Sequence, residues 1–396
     1  METGTNKLRM GMVGGGQGAF IGAVHRMAAA LDQQIELTAG CFSRDYENTR
    51  LTGERLHLEP KRCYRSYAEM ADAEARLPGE ERIDFVTIVT PNREHFPAAK
   101  AFLERGFHVV CDKPMTASLE EARGLVKLVE ETGLIFALTH NYTGYPLVRH
   151  ARELFTSGSL GGVLKAIVEY VQDWLLAPVE KEGVKGAAWR MDPAQAGLGG
   201  SLGDIGTHAF NLLEYMTGER VVQLCADKSS FLPGRRLDDD ANILIRLQGG
   251  GKGVMAISQV AAGEENALRL KAYGRKGAVV WDQENPNVMH LCRYSEPRQT
   301  LTRGGSYLST AAKNCTRLPG GHPEAFLEAF ANLYAGVTEA VRASREGKPL
   351  PRQRYAFPTV YDGLRGLEFI TAAVESSERG GVWIDLEGDS GARGTA

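Results

Sequence analysis

No apolar run in this sequence approaches the roughly 20 residues that a membrane-crossing helix needs. The opening stretch, Met1 to Met10, has no apolar core of the kind a secretory signal carries. Cysteine is sparse and scattered. Cys41, Cys63, Cys111, Cys225, Cys292 and Cys315 form no C-x-x-C pair, which argues against a disulfide framework or a zinc knuckle. The nine histidines are equally dispersed and lack H-E-x-x-H spacing, so no metal is expected. Neither sign of charge dominates. Forty-six Lys and Arg face 49 Asp and Glu, a formal charge of −3 over 396 residues. That balance offers no basic field to nucleic acid or to an anionic membrane. There is also no solenoid period and no heptad run. What remains is a cytoplasmic globular protein of two or three domains, with residues 388–396 read as a disordered tail.

What is present divides the chain in two. Up to residue 141, strand and helix signals alternate: strands near 8–13, 35–42, 83–90, 107–111 and 134–139, with helices near 20–31, 94–105 and 118–132 between them. The run IDFVTIVT (83–90) is almost continuously apolar, as a parallel strand buried on both faces requires. This predicts an α/β domain over 1–141 with a parallel sheet between helices. From 142 to 396 the pattern changes. A helix near 145–156 and a long strand near 163–172 precede a Gly-rich stretch and a helix near 202–216. Six short strands then follow, with turn signals between them. Such spacing suits an α+β domain built on one large, mainly antiparallel sheet. Helices near 323–344 and 360–377 close the chain, the last expected to pack back on the first domain.

The segment MGMVGGGQGAFIGAVH joins the first strand to the first helix, and Gly14, Gly16 and Ala19 fit G-x-G-x-x-[GA]. In such a loop the first Gly makes the tight turn. The second admits a pyrophosphate to the helix N-terminus, and the third small residue lets helix and strand approach. No Gly-Lys-Ser/Thr follows, so a Walker A loop is excluded. The second strand runs into Ser43-Arg44-Asp45 rather than straight into a carboxylate. Ser43 and Arg44 suit the 2′-phosphate of NADP, Asp45 suits the ribose of NAD, and Arg44 can equally be a solvated loop charge. The cofactor is therefore NAD or NADP. Ligands of open α/β sheets lie beyond the carboxyl ends of the strands. Here those ends carry Thr90-Pro91-Asn92 with His95, Asp112-Lys113-Pro114, and His140-Asn141-Tyr142. Later, WRMDPAQAGLGGSLGDIGTH (189–208) sets Asp204 and His208 four apart, on one face of the expected helix. A carboxylate there can orient a histidine that exchanges protons near neutral pH.

These motifs, in this order, resemble the glucose–fructose oxidoreductase/inositol dehydrogenase family, Gfo/Idh/MocA, over nearly the whole chain. The resemblance implies an N-terminal Rossmann domain for NAD(P), a C-terminal substrate domain and a homo-oligomer, dimer or tetramer. It implies catalytic roles for Lys113, Asp204 and His208. It also implies cofactor contacts from Gly14, Gly16, Gln17, Ala19, Phe20, Ser43, Arg44, Thr90, Pro91, Asn92, His95, Asp112, Lys113, Asn141, Trp189 and Arg190. Tyr142, Tyr145, Asp173, Trp174 and His322 join Lys113, Asp204 and His208 as candidates for the substrate wall. Two departures stand out: Asp112 replaces the family's usual Glu, and the Gly loop extends through Gly22. The expected reaction is reversible oxidation of a secondary hydroxyl on a sugar, on a glycoside at a position such as C3, or on a cyclitol. Two alternatives remain open: cofactor-assisted glycoside cleavage through a 3-keto sugar, and a non-catalytic dinucleotide or sugar sensor.

Overall fold

The computed structural model describes residues 7–183 and 185–386, the side chain of Lys185 excepted. The tail expected at 388–396 lies outside those residues, as do residues 1–6. The chain forms two units. One runs to Gly144 and takes in Phe326–Leu364; the other holds Tyr145–Ala325 and resumes at Arg365.

The first unit carries strands β1 (Leu8–Gly14), β2 (Ile35–Cys41), β3 (Phe85–Val89), β4 (His108–Cys111) and β5 (Phe136–Leu138). They form a parallel sheet in the order β2-β1-β3-β4-β5. Every residue of β3 is buried, as its continuous apolar sequence requires. Helices α1 (Phe20–Leu31), α2 (Tyr46–Arg55), α3 (Tyr67–Ala75), α4 (His95–Leu103) and α5 (Leu119–Thr132) connect the strands. Apolar periodicity misses α2 and α3, and their caps mark them instead. Asp45 accepts the Glu47 N–H at 3.0 Å. Ser66 accepts the Glu69 N–H at 3.1 Å while Glu69 accepts the Arg65 N–H at 2.9 Å, a reciprocal capping box. α5 closes on Gly133, whose φ of +65° suits a residue without Cβ.

The expected second domain, 142–396, is not continuous. Helix Phe326–Arg345 belongs to the first unit, where Phe330, Leu333, Tyr334, Val337 and Val341 share one core with Val24, Ala28 and Ala29 of α1. Each large side chain buried in this way contributes about 1.5–3 kcal/mol. An amphipathic pattern shows that a helix buries one face, but not which partner covers it. The return expected from helix 360–377 is correspondingly partial, since Val360–Glu378 belongs to the first unit only through Leu364.

The second unit is built on nine strands: β6 (Val163–Val171), β7 (Val221–Ser229), β8 (Asp240–Leu247), β9 (Lys252–Ser258), β10 (Ala267–Gly274), β11 (Gly277–Asp282), β12 (Val288–Arg293), β13 (Gln299–Thr302) and β14 (Ile384–Asp385). Their order is β13-β12-β11-β10-β6-β9-β8-β7-β14, antiparallel throughout except for the β6–β9 pair. β8 alternates buried Ala241, Ile243, Ile245 and Leu247 with exposed Asn242, Leu244 and Arg246, so one face packs and the other stays open. Helix Thr207–Thr217 lies against β6 and β10. No described helix is long and apolar enough to cross a membrane.

Candidate active site

In the first unit, the loop after β1 turns through Gly14 at φ +86°, where a Cβ would sit 2.8 Å from the Val89 carbonyl oxygen. A Cβ on Gly16 would meet Asn48 Oδ1 at 2.4 Å and Phe42 O at 2.9 Å. The close approach of helix to loop, expected at Ala19, falls instead at Gly22, where a Cβ would lie 2.4 Å from Gly15 Cα. Ala19 is exposed and is the N-cap of α1, with no side-chain capping bond. Gly16 N–H donates to Phe42 O at 3.1 Å, and Gln17 N–H to Asn48 Oδ1 at 3.0 Å. The amides of the first turn of α1, beginning at exposed Phe20, have no intrahelical acceptor and are placed at a helix N-terminus that can receive an anion. Beyond β2, Asp45 is committed to capping α2, and Ser43 Oγ accepts the Asp45 N–H at 3.1 Å. Arg44 is exposed beside them.

At the ends of β3 and β5, Thr90 Oγ1 and Asn141 Nδ2 are buried with no hydrogen-bond partner among the described residues. Buried polar groups are rarely left so. A dinucleotide lying across the strand ends would supply both an acceptor and a donor there, so these residues fit NAD(P). Pro91 leads into the turn Asn92–Glu94, in which Asn92 is buried. His95 is buried too, with Nε2 2.8 Å from Thr90 O and Nδ1 2.9 Å from Pro114 O, so it ties the end of β3 to the segment after Lys113. Burial lowers its pKa. The Lys113–Pro114 peptide is cis, and Lys113 is half-buried.

Asp112 is held by groups that the sequence did not single out. Its Oδ1 accepts Thr139 Oγ1–H at 2.5 Å and lies 3.1 Å from His25 Nε2. His25 Nδ1 lies 2.8 Å from Tyr334 Oη, which is 3.1 Å from Thr87 Oγ1. One ordering closes the chain: Thr87 donates to Tyr334, Tyr334 to His25, and His25 to Asp112. Burial alone would raise the Asp112 carboxyl. The attraction and hydrogen bond of His25, with the Thr139 hydroxyl, outweigh it and hold the carboxyl below its usual range. His140, next to Asn141, is pushed down to about 3, first by burial and then by the Lys113 charge.

In the second unit, the expected regular helix at 202–216 begins with a π-turn, Leu202–Gly206, before the α-helix Thr207–Thr217. Asp238 holds the entry to that turn: its carboxylate accepts Gly200 N–H at 2.8 Å, Ser201 Oγ–H at 2.6 Å and Leu202 N–H at 2.7 Å. A Cβ on Gly200 would lie 2.2 Å from Asp238 O, so the chain that comes close to the Gly pair is the protein's own. Asp204, inside the wide turn, accepts Arg190 Nε–H at 3.1 Å on one oxygen and Gln259 Nε2–H at 2.9 Å on the other. Arg190 lies over the rings of Trp189 (4.3 Å) and Trp174 (5.9 Å). Trp174 Nε1–H and Gln259 Nε2–H both reach Gln172 Oε1, at 3.0 and 3.3 Å. Gln259 is fully buried, and its Oε1 has no donor among the described residues. His208 is buried, its ring 6.3 Å from that of Tyr170.

The remaining wall candidates are dispersed. Tyr142 is buried beside Phe326 in the first unit. Tyr145 packs on Trp281 in the second, with ring centroids 5.4 Å apart. Asp173 accepts Gly263 N–H at 3.1 Å. His322 is exposed on a loop tied down by the buried Arg303–Glu324 pair at 2.9 Å. Sequence reasoning missed His25, Thr139, Tyr334, Gln172, Asp238 and Gln259. His25, five residues after Phe20 on α1, is the one that its position beyond the glycine loop could have flagged.

A model of the oxidoreductase family with an NAD-binding Rossmann fold matches residues 8–140, and one of the GFO/IDH/MocA C-terminal domain matches 148–280. An oxidoreductase from Sinorhizobium meliloti is 46% identical, with a TM-score of 0.86 over 96% of this chain and 100% of that one. An inositol dehydrogenase homolog from Azotobacter vinelandii, complexed with NAD+, is 35% identical, with a TM-score of 0.93 over 96% and 98% of the two chains. A structure under the same description is complexed with NADH and myo-inositol, at 34% identity and a TM-score of 0.88 over 96% and 98% of the chains. Levoglucosan dehydrogenase from Pseudarthrobacter phenanthrenivorans is 25% identical over 96% of this chain and 98% of its own.

Proposed function

Because the chain belongs to the Gfo/Idh/MocA oxidoreductase family, with an NAD-binding Rossmann domain, we propose that it oxidises a secondary hydroxyl of a cyclitol or a related cyclic sugar, reversibly. The observation that carries this reading is Gln259 Oε1, a buried acceptor without a described donor, whose own amide holds Asp204. A substrate hydroxyl would supply the missing donor, and a ring with adjacent hydroxyls would reach Asp204 with the next. The myo-inositol complex of the Azotobacter vinelandii relative supports a cyclitol.

When bound, NAD(P) supplies the hydride acceptor. His208 takes the hydroxyl proton, and the Lys113 ammonium hydrogen-bonds the same oxygen as charge develops. Asp204, immobilised by Arg190 and Gln259, binds a neighbouring hydroxyl and helps orient His208. Acid–base assistance of this kind contributes on the order of 10²–10⁴ in rate. Cofactor amides come from the first turn of α1, with Thr90 and Asn141 at the strand ends. Trp189 and Trp174 wall the hydroxyl-binding side together with Arg190. The open face of the nine-stranded sheet supports self-association.

The test is reduction of NAD+ or NADP+ by myo-inositol and a panel of cyclic sugars, followed by absorbance. Lys113→Met and His208→Ala are expected to bind cofactor normally and to lose most turnover. Near-normal turnover in either variant, or silence across the panel, would defeat the reading. Aglycone released from a glycoside without net cofactor reduction would move it to oxidation-assisted cleavage.

A further inference from the structure

The first unit contains a cleft of about 430 Å³ that the reaction does not use. Its walls come from the last turns of α1 (Ala28, Ala29), the start of β2 (Ile35), helix Phe326–Arg345 (Tyr334, Thr338, Arg342), and Leu350. The glycine loop lies at the other end of α1. Eight helical residues, 20–27, separate them, a rise of about 12 Å. The cleft is therefore distinct from the phosphate-binding end.

Two polar groups in it lack partners. Thr338 is 5% exposed, and its Oγ1 has no hydrogen bond among the described residues. Arg342 lies one helical turn further along the same face, and its Nη2 is buried without a partner. A buried guanidinium edge without an acceptor is costly, and a hydroxyl beside it without one adds to the cost. The rest of the wall is mostly apolar, with four alanines, an isoleucine, a leucine and a tyrosine, and half-buried Gln34 among them. Three carboxylates border the cleft: half-buried Asp32, and Glu339 and Glu346, which are exposed at its rim, with Glu339 within 4.0 Å of Arg354. Solvent screens the two glutamates from the buried donors, and the three carboxylates together oppose any multiply charged anion.

We propose that this cleft is a binding site for a small organic monocarboxylate with an apolar body, seated on Arg342 and Thr338. The guanidinium fork matches a carboxylate, and the threonine hydroxyl donates to the same group. The volume falls within the range of small-molecule sites. Tyr334 makes one wall and also bonds His25, so an occupant touches the chain of groups that ends on Asp112.

The test uses the full chain, with benzoate as probe, benzamide as its neutral isostere and inorganic phosphate as a charged control. Binding is measured by calorimetry. Benzoate is expected to bind saturably, and at least about tenfold more tightly than either control. Arg342→Met keeps the apolar stem and should weaken benzoate by about tenfold or more; Thr338→Val should weaken it less. Both should bind NAD+ as the unaltered protein does, which shows that the first unit is folded. Equal binding of benzoate and benzamide, stronger binding of phosphate, absence of benzoate binding, or full benzoate affinity in folded Arg342→Met would each overturn the assignment.

Discussion

Replacing His25 with phenylalanine tests whether the groups behind Asp112 position Lys113. The substitution keeps an aromatic ring, one member larger, in the core, where His25 packs edge-on against Phe330 at 4.8 Å, and removes both ring nitrogens. Asp112 then keeps Thr139 but loses the contact at 3.1 Å, while Tyr334 loses the one at 2.8 Å. A hydrogen bond to a charged group is worth about 1.5–3 kcal/mol and a neutral one about 1 kcal/mol. The expected destabilisation is about 3 kcal/mol, which lowers Tm by about 6–12 °C for a unit of this size. Asp112 is covalently joined to Lys113, so its release displaces the lysine. An error of about 1 Å in such a group can cost on the order of 10²-fold. Turnover should therefore fall by about ten- to a hundredfold, with NAD+ affinity retained, because the first turn of α1 is untouched. His25→Gln, which can still donate to Asp112, should recover much of the loss. A double-mutant cycle with Thr139→Val should show coupling of about 0.5–3 kcal/mol, since both groups serve one carboxylate. Unchanged Tm and turnover in His25→Phe, or strict additivity in the cycle, would refute the argument.

Stability should depend on pH through buried histidines. His140 is pushed down to about 3 and His108 to about 4, both mainly by burial. The unfolded chain then binds protons that the folded chain refuses, so stability is full above about pH 6.5 and falls as pH drops, by about 4 kcal/mol at pH 5. Thermal melts across that window check it, and His140→Gln should flatten the profile. Gly22→Ala puts a Cβ 2.4 Å from Gly15 Cα and should lower both Tm and NAD+ affinity, measured by melting and calorimetry. Gln259→Leu removes a donor to Asp204 and should raise the KM for the polyol about tenfold or more while NAD+ binding stays constant. Arg44→Ala should weaken NADP+ more than NAD+ if the exposed guanidinium meets the 2′-phosphate, and equal affinities would remove Arg44 from cofactor selection.

The Azotobacter and Pseudarthrobacter relatives share the chain's length and fold, yet one is described with a cyclitol and the other is named for an anhydro-sugar. In this chain Gln172 holds Trp174 and Gln259 holds Asp204, and neither glutamine lies in a recognisable motif.

The sequence alone determined the parallel strands and the tight turns. The β-branched run at β3, the capping box of α5 and the glycines at 14 and 16 act through near-neighbour sterics and hydrogen bonds, which a local pattern records. It also marked Lys113, Asp204 and His208, because reactive residue types at fixed spacing stand out. Only the tertiary structure decided which partners those residues have. Helix Phe326–Arg345 joins a sheet nearly two hundred residues earlier in the chain because its apolar face finds α1, and burial is indifferent to sequence distance. His25 reaches Asp112, and Gln259 reaches Asp204, across 87 and 55 residues. The π-turn at Leu202–Gly206 follows from Asp238, which lies in another loop and binds three successive residues at its entry. Hydrogen bonds of that kind depend on where the folded backbone brings donor and acceptor, and no local pattern in the sequence encodes it.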